Sequence, residues 1–327
     1  MTAVSVRAAG VGISAPRSLT PAVRQALHGR LSPAALERRL AAVRARRLDL
    51  HERPGPGLAP VTAVVGDVAL ATPLHDAAAM LGLAPRGATH AERVLASLRA
   101  NTLPRPVPEA EPLAEHLLVA LAEARTRGMV ARAVLPGPVS LALRLGGAPD
   151  ALAAPFLALA TRLVAAGADG LQLDEPALAG PLGAAATTAL RTVYARLREV
   201  VGPTTTIVLT AVPKALAPAN VALAARLPVD VLHLARPDLL APAVAERRAR
   251  TRLAVGLDLA DHDAARRLRD LAVAAVGAEA IELAPAALPD EPDARPHLAR
   301  LAALARRDTP AHRPARPRPT PVGALDA

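Results

Sequence analysis

Two adjacent carboxylates close a short apolar run near the middle of this 327-residue chain, Gly170-Leu171-Gln172-Leu173-Asp174-Glu175-Pro176. In a strand, Leu171 and Leu173 share one face while Gln172 and Asp174 share the other. Polar groups confined to the C-terminal end of a buried strand are how an α/β barrel builds a site. Asp174 and Glu175 could bind an ammonium or hydroxyl group or act as a general base. They could equally cap and hydrogen-bond the loops that leave the strand ends. Asp67, which follows Gly66 at another strand end, offers the same chemistry. Arg17 could pair bidentately with a carboxylate or phosphate. Only Lys214 among the 39 basic residues is a lysine, so a solvated arginine is the ordinary alternative for Arg17.

Other chemistries find little support. His28, His51, His75, His116, His233 and His262 form no His-x-x-x-His pair, and the chain has no Cys. Disulfides and thiolate metal ligands are excluded, and no bound metal is expected. Gly128, Gly137, Gly146 and Gly147 make no phosphate-binding fingerprint, and no Walker or dinucleotide motif is present. Ser14 and Ser140 lack a nucleophile-elbow context. With Phe156 and Tyr194 as the only aromatics and no Trp, ring stacking against a ligand is nearly excluded.

The elements that would position the carboxylates follow from periodicity. Phe156, Leu159, Ala160, Leu163 and Val164 form the apolar stripe of a core-facing helix, and Gly167 suits its C-terminal stop. Eight short apolar runs read as strands, near Val4–Val6, Thr62–Val65, Ala131–Leu135, Gly170–Leu173, Thr206–Leu209, Val231–Leu234, Leu253–Leu257 and Ala280–Leu283. Helical stretches separate them, including Pro33–Leu50, Leu113–Arg127, Pro155–Ala166, Ala184–Val200, Asn220–Arg226 and Ala264–Val276. Alternation of this kind predicts an α/β fold, a single (β/α)8 TIM-type barrel over residues 1–306. The strand ends Gly66-Asp67, Gly137, Asp174-Glu175, His233 and Asp258 would share one mouth. The long interval after the second strand predicts an insertion, whose Pro-rich loop Asn101–Glu109 would suit a lid or substrate wall. The Pro/Arg-rich segment 307–327 is expected to be a disordered tail.

A net charge of +10 invites a nucleic-acid reading. The arginines are scattered over amphipathic helices and the tail with no nucleic-acid motif, so no such partner is expected; a basic surface could still favour small acidic ligands. No apolar run has the length of a membrane span, and no convincing signal peptide begins the chain. A cytoplasmic location is the expectation.

Gln172-Leu173-Asp174-Glu175-Pro176-Ala177-Leu178 resembles the signature of cobalamin-independent methionine synthase, a family with two related barrels. Further matches run in order over roughly residues 10–260 and point to its N-terminal barrel. Arg17-Ser18-Leu19-Thr20, with Gly29 and Leu31-Ser32 after it, resembles an Arg-Glu-Leu-Lys…Gly-x-Ile-Ser segment. Val65-Gly66-Asp67, Val107-Pro108-Glu109, Gly137-Pro138-Val139 and Leu227-Pro228-Val229-Asp230 each resemble a counterpart further on. The resemblance implies recognition of a methyltetrahydrofolate polyglutamate by Arg17, Ser18, Leu19 and Thr20, and of the substrate by Asp67, Asp174 and Glu175. Ser18 and Thr20 replace the family's acid and lysine, and the aromatics of the long loop are lost. The family's zinc, held by His, two Cys and Glu, belongs to a second barrel absent here. Any methyl transfer would therefore need a separately encoded zinc-bearing barrel, and no cofactor is expected in this chain. The alternatives are a non-catalytic scaffold or partner domain, and a related barrel re-purposed for another small acidic substrate.

Overall fold

The computed structural model describes residues 5–6, 17–54, 62–66, 68–84, 87, 89–100, 104–107, 110–277, 280–285 and 294–306. Asp67, the loop positions 101–103 and 108–109, and the segment 307–327 lie outside the described residues. In chain order the elements are β1 (Ser5–Val6), α1 (Thr20–Leu27), α2 (Pro33–Glu52), β2 (Ala63–Val65), α3 (Pro73–Met80), α4 (His90–Ala100), α5 (Glu115–Thr126) and β3 (Ala131–Pro136). Then come α6 (Pro138–Arg144), α7 (Ala153–Ala165), β4 (Gly170–Asp174), α8 (Ala184–Val201), β5 (Thr206–Thr210), α9 (Val221–Arg226) and β6 (Val231–Leu234). The chain continues through α10 (Leu240–Glu246), β7 (Arg252–Leu257), α11 (His262–Val276), β8 (Ile281–Pro285) and α12 (Ala294–Arg306).

Local chemistry explains several boundaries. Ser32 caps α2 by accepting the Ala35 N–H at 3.2 Å, with Pro33 placed where no helical N–H is needed. Gly167 takes φ +90° just after α7, as its place behind the apolar stripe predicts. Each of the eight apolar runs forms a strand, with ends shifted by a residue or two. Gly137, expected at a strand end, follows β3 directly and also serves as the N-cap of α6.

The strands lie in one parallel sheet of order β1-β8-β7-β6-β5-β4-β3-β2. That is the order of a barrel opened between β1 and β2, and no β1–β2 pairing occurs among the described residues. The β4 register pairs Pro136 with Asp174 and Asp174 with Thr210 across its two neighbours. Between β2 and β3 the chain forms α3, α4 and α5; α5 packs on both strands, while α3 and α4 pack together and α4 reaches α1 and α2.

The two faces of the sheet differ in kind. Toward the helices, Leu171, Leu173, Ile207, Leu209, Leu232, Leu253 and Ile281 join the main apolar core with Phe156 and Tyr194. The opposite face carries Arg132, Val134, Gln172, Asp174, Val208, Thr210, Val231, His233, Ala254 and Glu282, all buried. Val208, Val231 and Ala254 form an apolar cluster there. Arg132 spans to β8, its Nη2 3.5 Å from Glu282 Oε2, while Arg252 Nη1 lies 2.7 Å from Glu282 Oε1. A second apolar cluster, with Leu19, Leu36, Leu40, Leu70, Val94 and Leu95, joins α1, α2 and α4 to the chain after β2. Among the described residues no helix is long and apolar enough to cross a membrane.

Breaking a buried ion pair costs more than the pair is worth, because a charge is left without its partner in a low-dielectric interior. Glu282→Gln removes the buried negative charge that faces both Arg132 and Arg252. It should therefore lower the unfolding free energy by about 3 kcal/mol in urea titrations. An unchanged denaturation midpoint would contradict this role for Glu282.

Candidate functional site

The C-terminal end of β4 separates its two carboxylates into different surroundings. Asp174 is the last residue of the strand, and its backbone carbonyl accepts the Gly137 N–H at 2.7 Å. Its side chain falls on the inner face with Gln172, as strand alternation requires. Asp174 Oδ1 accepts Thr210 Oγ1–H at 2.7 Å and Gln172 Nε2–H at 3.1 Å. The carboxylate is thus aimed by side chains of its own and the neighbouring strand.

Glu175 turns the other way and serves the scaffold. Its backbone N–H donates to Thr210 O at 2.9 Å. Its side chain accepts the backbone N–H groups of Ser140 at 2.8 Å and Val139 at 3.3 Å, at the start of α6. The Tyr194 hydroxyl, from α8, lies 3.4 Å away. Ser140 Oγ returns the contact by accepting the Ala177 N–H at 2.9 Å. The loop after β4 and the first turn of α6 are therefore stapled in both directions. Burial pushes the Glu175 carboxyl up to about 7, against the opposing pull of the Ser140, Val139 and Tyr194 hydrogen bonds. Burial, and then the Glu175 charge, push the Tyr194 hydroxyl well above its ordinary value. Of the two readings open for Glu175, the geometry matches the cap.

Gly137 is the counterpart of this staple. A Cβ there would lie 2.1 Å from the Glu175 carboxyl carbon, so the carboxyl fills the space a side chain would need. His233, on β6, is buried with no hydrogen-bond partner at Nε2. It is held neutral, driven down to about 4 by burial and by the nearby Arg132 charge. Gly256 leaves room beside it: a Cβ there would come 3.2 Å from His233 Nε2.

The Arg17–Thr20 segment sits elsewhere. Arg17, Ser18 and Thr20 are exposed at the start of α1, and Leu19 is buried in the cluster shared by α1, α2 and α4. No hydrogen bond or ion pair described here joins these four residues to Asp174 or Glu175. Thr210 and Tyr194 were not singled out in the sequence. Thr210 could have been found from its alternate position beyond Val208 on the fifth run. Tyr194 carries no local signal of its contact with β4.

A resident zinc ion does not fit the residues present. There is no Cys, Glu175 is spent on backbone N–H groups, and His233 Nε2 faces Gly256. Among the described residues no group of three or more His, Asp or Glu side chains is arranged to hold a metal ion.

Comparison with known proteins agrees with the resemblance in the sequence. Residues 107–257 match the model of the cobalamin-independent synthase N-terminal domain. A protein from Listeria monocytogenes, described as a vitamin-B12-independent methionine synthase, has the same fold with a TM-score of 0.67. The likeness covers 94% of this chain and 98% of that one, at 15% identity. A methyltransferase from Methanosarcina mazei shares the fold with a TM-score of 0.59, over 94% of each chain at 14% identity. At such identities the likeness is one of fold.

Two outcomes test the staple. Gly137→Ala should cost about 2 kcal/mol in chemical denaturation, the usual scale of overpacking a filled interior. Combining it with Glu175→Ala should cost less than the sum of the single changes, and strict additivity would argue against the contact. The second outcome concerns pH. Below about pH 4.5 folded and unfolded chains both carry the Glu175 proton. Between 4.5 and 7 the unfolded chain gives it up first, so stability falls as pH rises, by about 3 kcal/mol from this group. Glu175→Gln should flatten that part of the stability–pH curve; an unchanged slope would mean the carboxyl is not held neutral.

Proposed function

We propose that this chain, whose residues 107–257 belong with the N-terminal domain of cobalamin-independent synthases, is a recognition barrel for a small acidic or amino-bearing ligand. It works without a zinc centre of its own. The closed form of the fold belongs to the same proposal, with β1 and β2 meeting to complete a (β/α)8 barrel over residues 1–306. The helices after β2 would then be an insertion on its rim, and 307–327 a tail outside the fold. The Pro104–Val107 segment of that insertion stands against Gly147, just past the end of α6, with Val107 exposed.

One observation carries the reading: Asp174 stands at the C-terminal end of β4 on the inner face, aimed by Thr210 and Gln172. A carboxylate fixed in this way pays little ordering entropy when it receives a donor from a ligand. Ammonium and hydroxyl groups supply such donors. Glu175 beside it is committed to the loop through the Ser140 and Val139 N–H groups. Recognition therefore has better support than catalysis. Methyl transfer to a thiol needs a thiolate, which the family makes with zinc in a separate barrel. Methyltetrahydrofolate with a polyglutamate tail is the ligand the family suggests. Its acidic tail suits the excess of arginine over acid on this chain, with the exposed Arg17 as the first candidate contact. A zinc-bearing barrel encoded elsewhere would be the partner if the pair performs chemistry, and a cytoplasmic setting fits that role. A scaffold without a ligand is the second reading, favoured by the amount of polar machinery in the mouth that is spent on holding loops.

Thermal shift and calorimetry with methyltetrahydrofolate polyglutamates test the reading, since a ligand bound only by the folded chain raises its stability. Wild type should bind, Asp174→Asn should bind about tenfold more weakly with its fold intact, and Arg17→Ala should lose any preference for longer tails. Equal binding by wild type and Asp174→Asn would favour the scaffold. Methionine formation by the purified chain alone would overturn the absence of chemistry.

A further inference from the structure

Away from the sheet interior and the β4 mouth, buried titratable groups gather among the described residues where α2, α3, α4 and α5 meet. His90, the first residue of α4, and His116, in the first turn of α5, have ring centroids 3.9 Å apart at an interplanar angle of 33°. His90 Nε2 lies 2.9 Å from Asp76 Oδ1 on α3. Asp76 also holds the chain after β2: its Oδ1 accepts the Leu70 N–H at 2.8 Å and its Oδ2 the Ala71 N–H at 3.1 Å. Neither His90 Nδ1 nor His116 Nδ1 has a hydrogen-bond partner.

The charges facing His116 are mostly positive. Arg44 comes from α2, while His90 and Arg93 come from α4. Asp76, from α3, is the one buried acid of the group, and it is already shared among two backbone N–H groups and His90. Glu115, next to His116 on α5, is exposed and pairs with Arg93 at 3.2 Å. β3 contributes only Val134 and Pro136 to a cavity of about 20 Å³ lined also by Asp76 and His116. That volume admits a water molecule, so a proton can reach the cluster. An added charge on His116 would meet the Arg44 and Arg93 guanidinium groups, and among the described residues no carboxylate is paired with it.

We propose that the Asp76–His90–His116 cluster is an acid-sensitive latch, in which protonation of His116 loosens α4 from its contacts with α3 and α5 and frees the Leu70–Ala71 segment beside the end of β2. Burial first, then His90, Arg44 and Arg93, hold the His116 imidazole well below its ordinary value of 6.5 in the closed state. The sign follows. Above pH 6.5 neither state carries the proton, and the closed layer is favoured. Below it, an opened layer takes up the proton that the closed one refuses, so opening gains up to tenfold per pH unit. The element free to move is α4, which packs on α1, α2 and α3 and adds Ala91, Val94 and Leu95 to the second apolar cluster, whereas Ala77 and Met80 of α3 and Leu117 and Leu121 of α5 stay in the main core.

Amide hydrogen exchange on the full chain tests this, read as protection factors at Leu70 and Ala71 between pH 7.5 and pH 5. In wild type the protection should fall about tenfold per pH unit below 6.5, and in His116→Asn and His116→Leu it should stay level. Val208 and Leu232 in β5 and β6 serve as the internal reference, because His233 also resists protonation and would act on the sheet as a whole. Level protection in wild type, a parallel fall in the variants, or an equal fall at Val208 and Leu232 would each overturn the latch. Should the variants fail to fold, the His116 ring signals of wild type decide by NMR titration. Titration below pH 5.5 supports the latch, and an ordinary midpoint near 6.5 overturns it.

Discussion

The inside of this sheet has to be filled by a chain with one Phe, one Tyr and no Trp. Phe156 and Tyr194 both lie in the main core on the helix side. On the inner face the long residue available is arginine, and Arg132 is among the largest fully buried side chains of the protein. A buried guanidinium needs a carboxylate, and Glu282 supplies it from β8 while taking Arg252 from β7 as well. Three strands are thereby tied by charge where an apolar barrel would interdigitate layers of branched side chains. The choice has consequences above it. Arg132 helps keep His233 neutral, and the polar column continues through Gln172 to Asp174 and Thr210 at the strand ends.

Carboxylates are scarce in this protein, 29 against 39 basic residues, and the described ones show a repeated use. Asp76 takes two consecutive backbone N–H groups after β2, Glu175 takes two at the start of α6, Asp169 takes that of Ala131, and Asp230 takes that of Ile207. Each fastens a strand or helix end that would otherwise leave unpaired donors. Asp174 differs in being aimed by the side chains of Thr210 and Gln172 on the inner face. The distinction between a clamp and a recognition group is therefore one of orientation set by strand parity, since the residues at 174 and 175 are chemically alike.

That parity was legible in the sequence. Leu171 and Leu173 alternate with Gln172 and Asp174, and the observed burial in the helix-side core and inner face follows it. The eight strands were legible for the same reason, each being a short apolar run between Gly, Pro or charge. What the sequence left hidden depends on distance along the chain. Ser140 meets Glu175 across 35 positions, and Thr210 meets Asp174 across 36; neither spacing has a periodicity to read. The role of Gly137 was hidden as well. A strand-end glycine suggests a turn, whereas the requirement comes from the Glu175 carboxyl occupying the volume of its missing Cβ. The pairing of His90 with His116 likewise needed the packing of α4 against α5 to become visible.

The two regions that hold buried titratable groups meet at the ends of β2 and β3. The small cavity beside His116 is lined by Gly66 at the end of β2 and by Val134 and Pro136 on β3, and Pro136 pairs in register with Asp174 on β4. The helical layer over β2 and the Asp174 carboxylate are thus separated by two adjacent strands. Gly66 stands on the near side of them. It takes φ +89°, and a Cβ there would lie 2.7 Å from the Val134 carbonyl oxygen, so the chain after β2 leaves the sheet tightly against β3. Asp76 then holds Leu70 and Ala71 four to five residues further on. Asp76, which takes these two backbone N–H groups, is positioned in turn by His90. Asp76 thus links the Leu70–Ala71 segment to the His90–His116 ring contact, where Arg44 and Arg93 oppose a charge on His116.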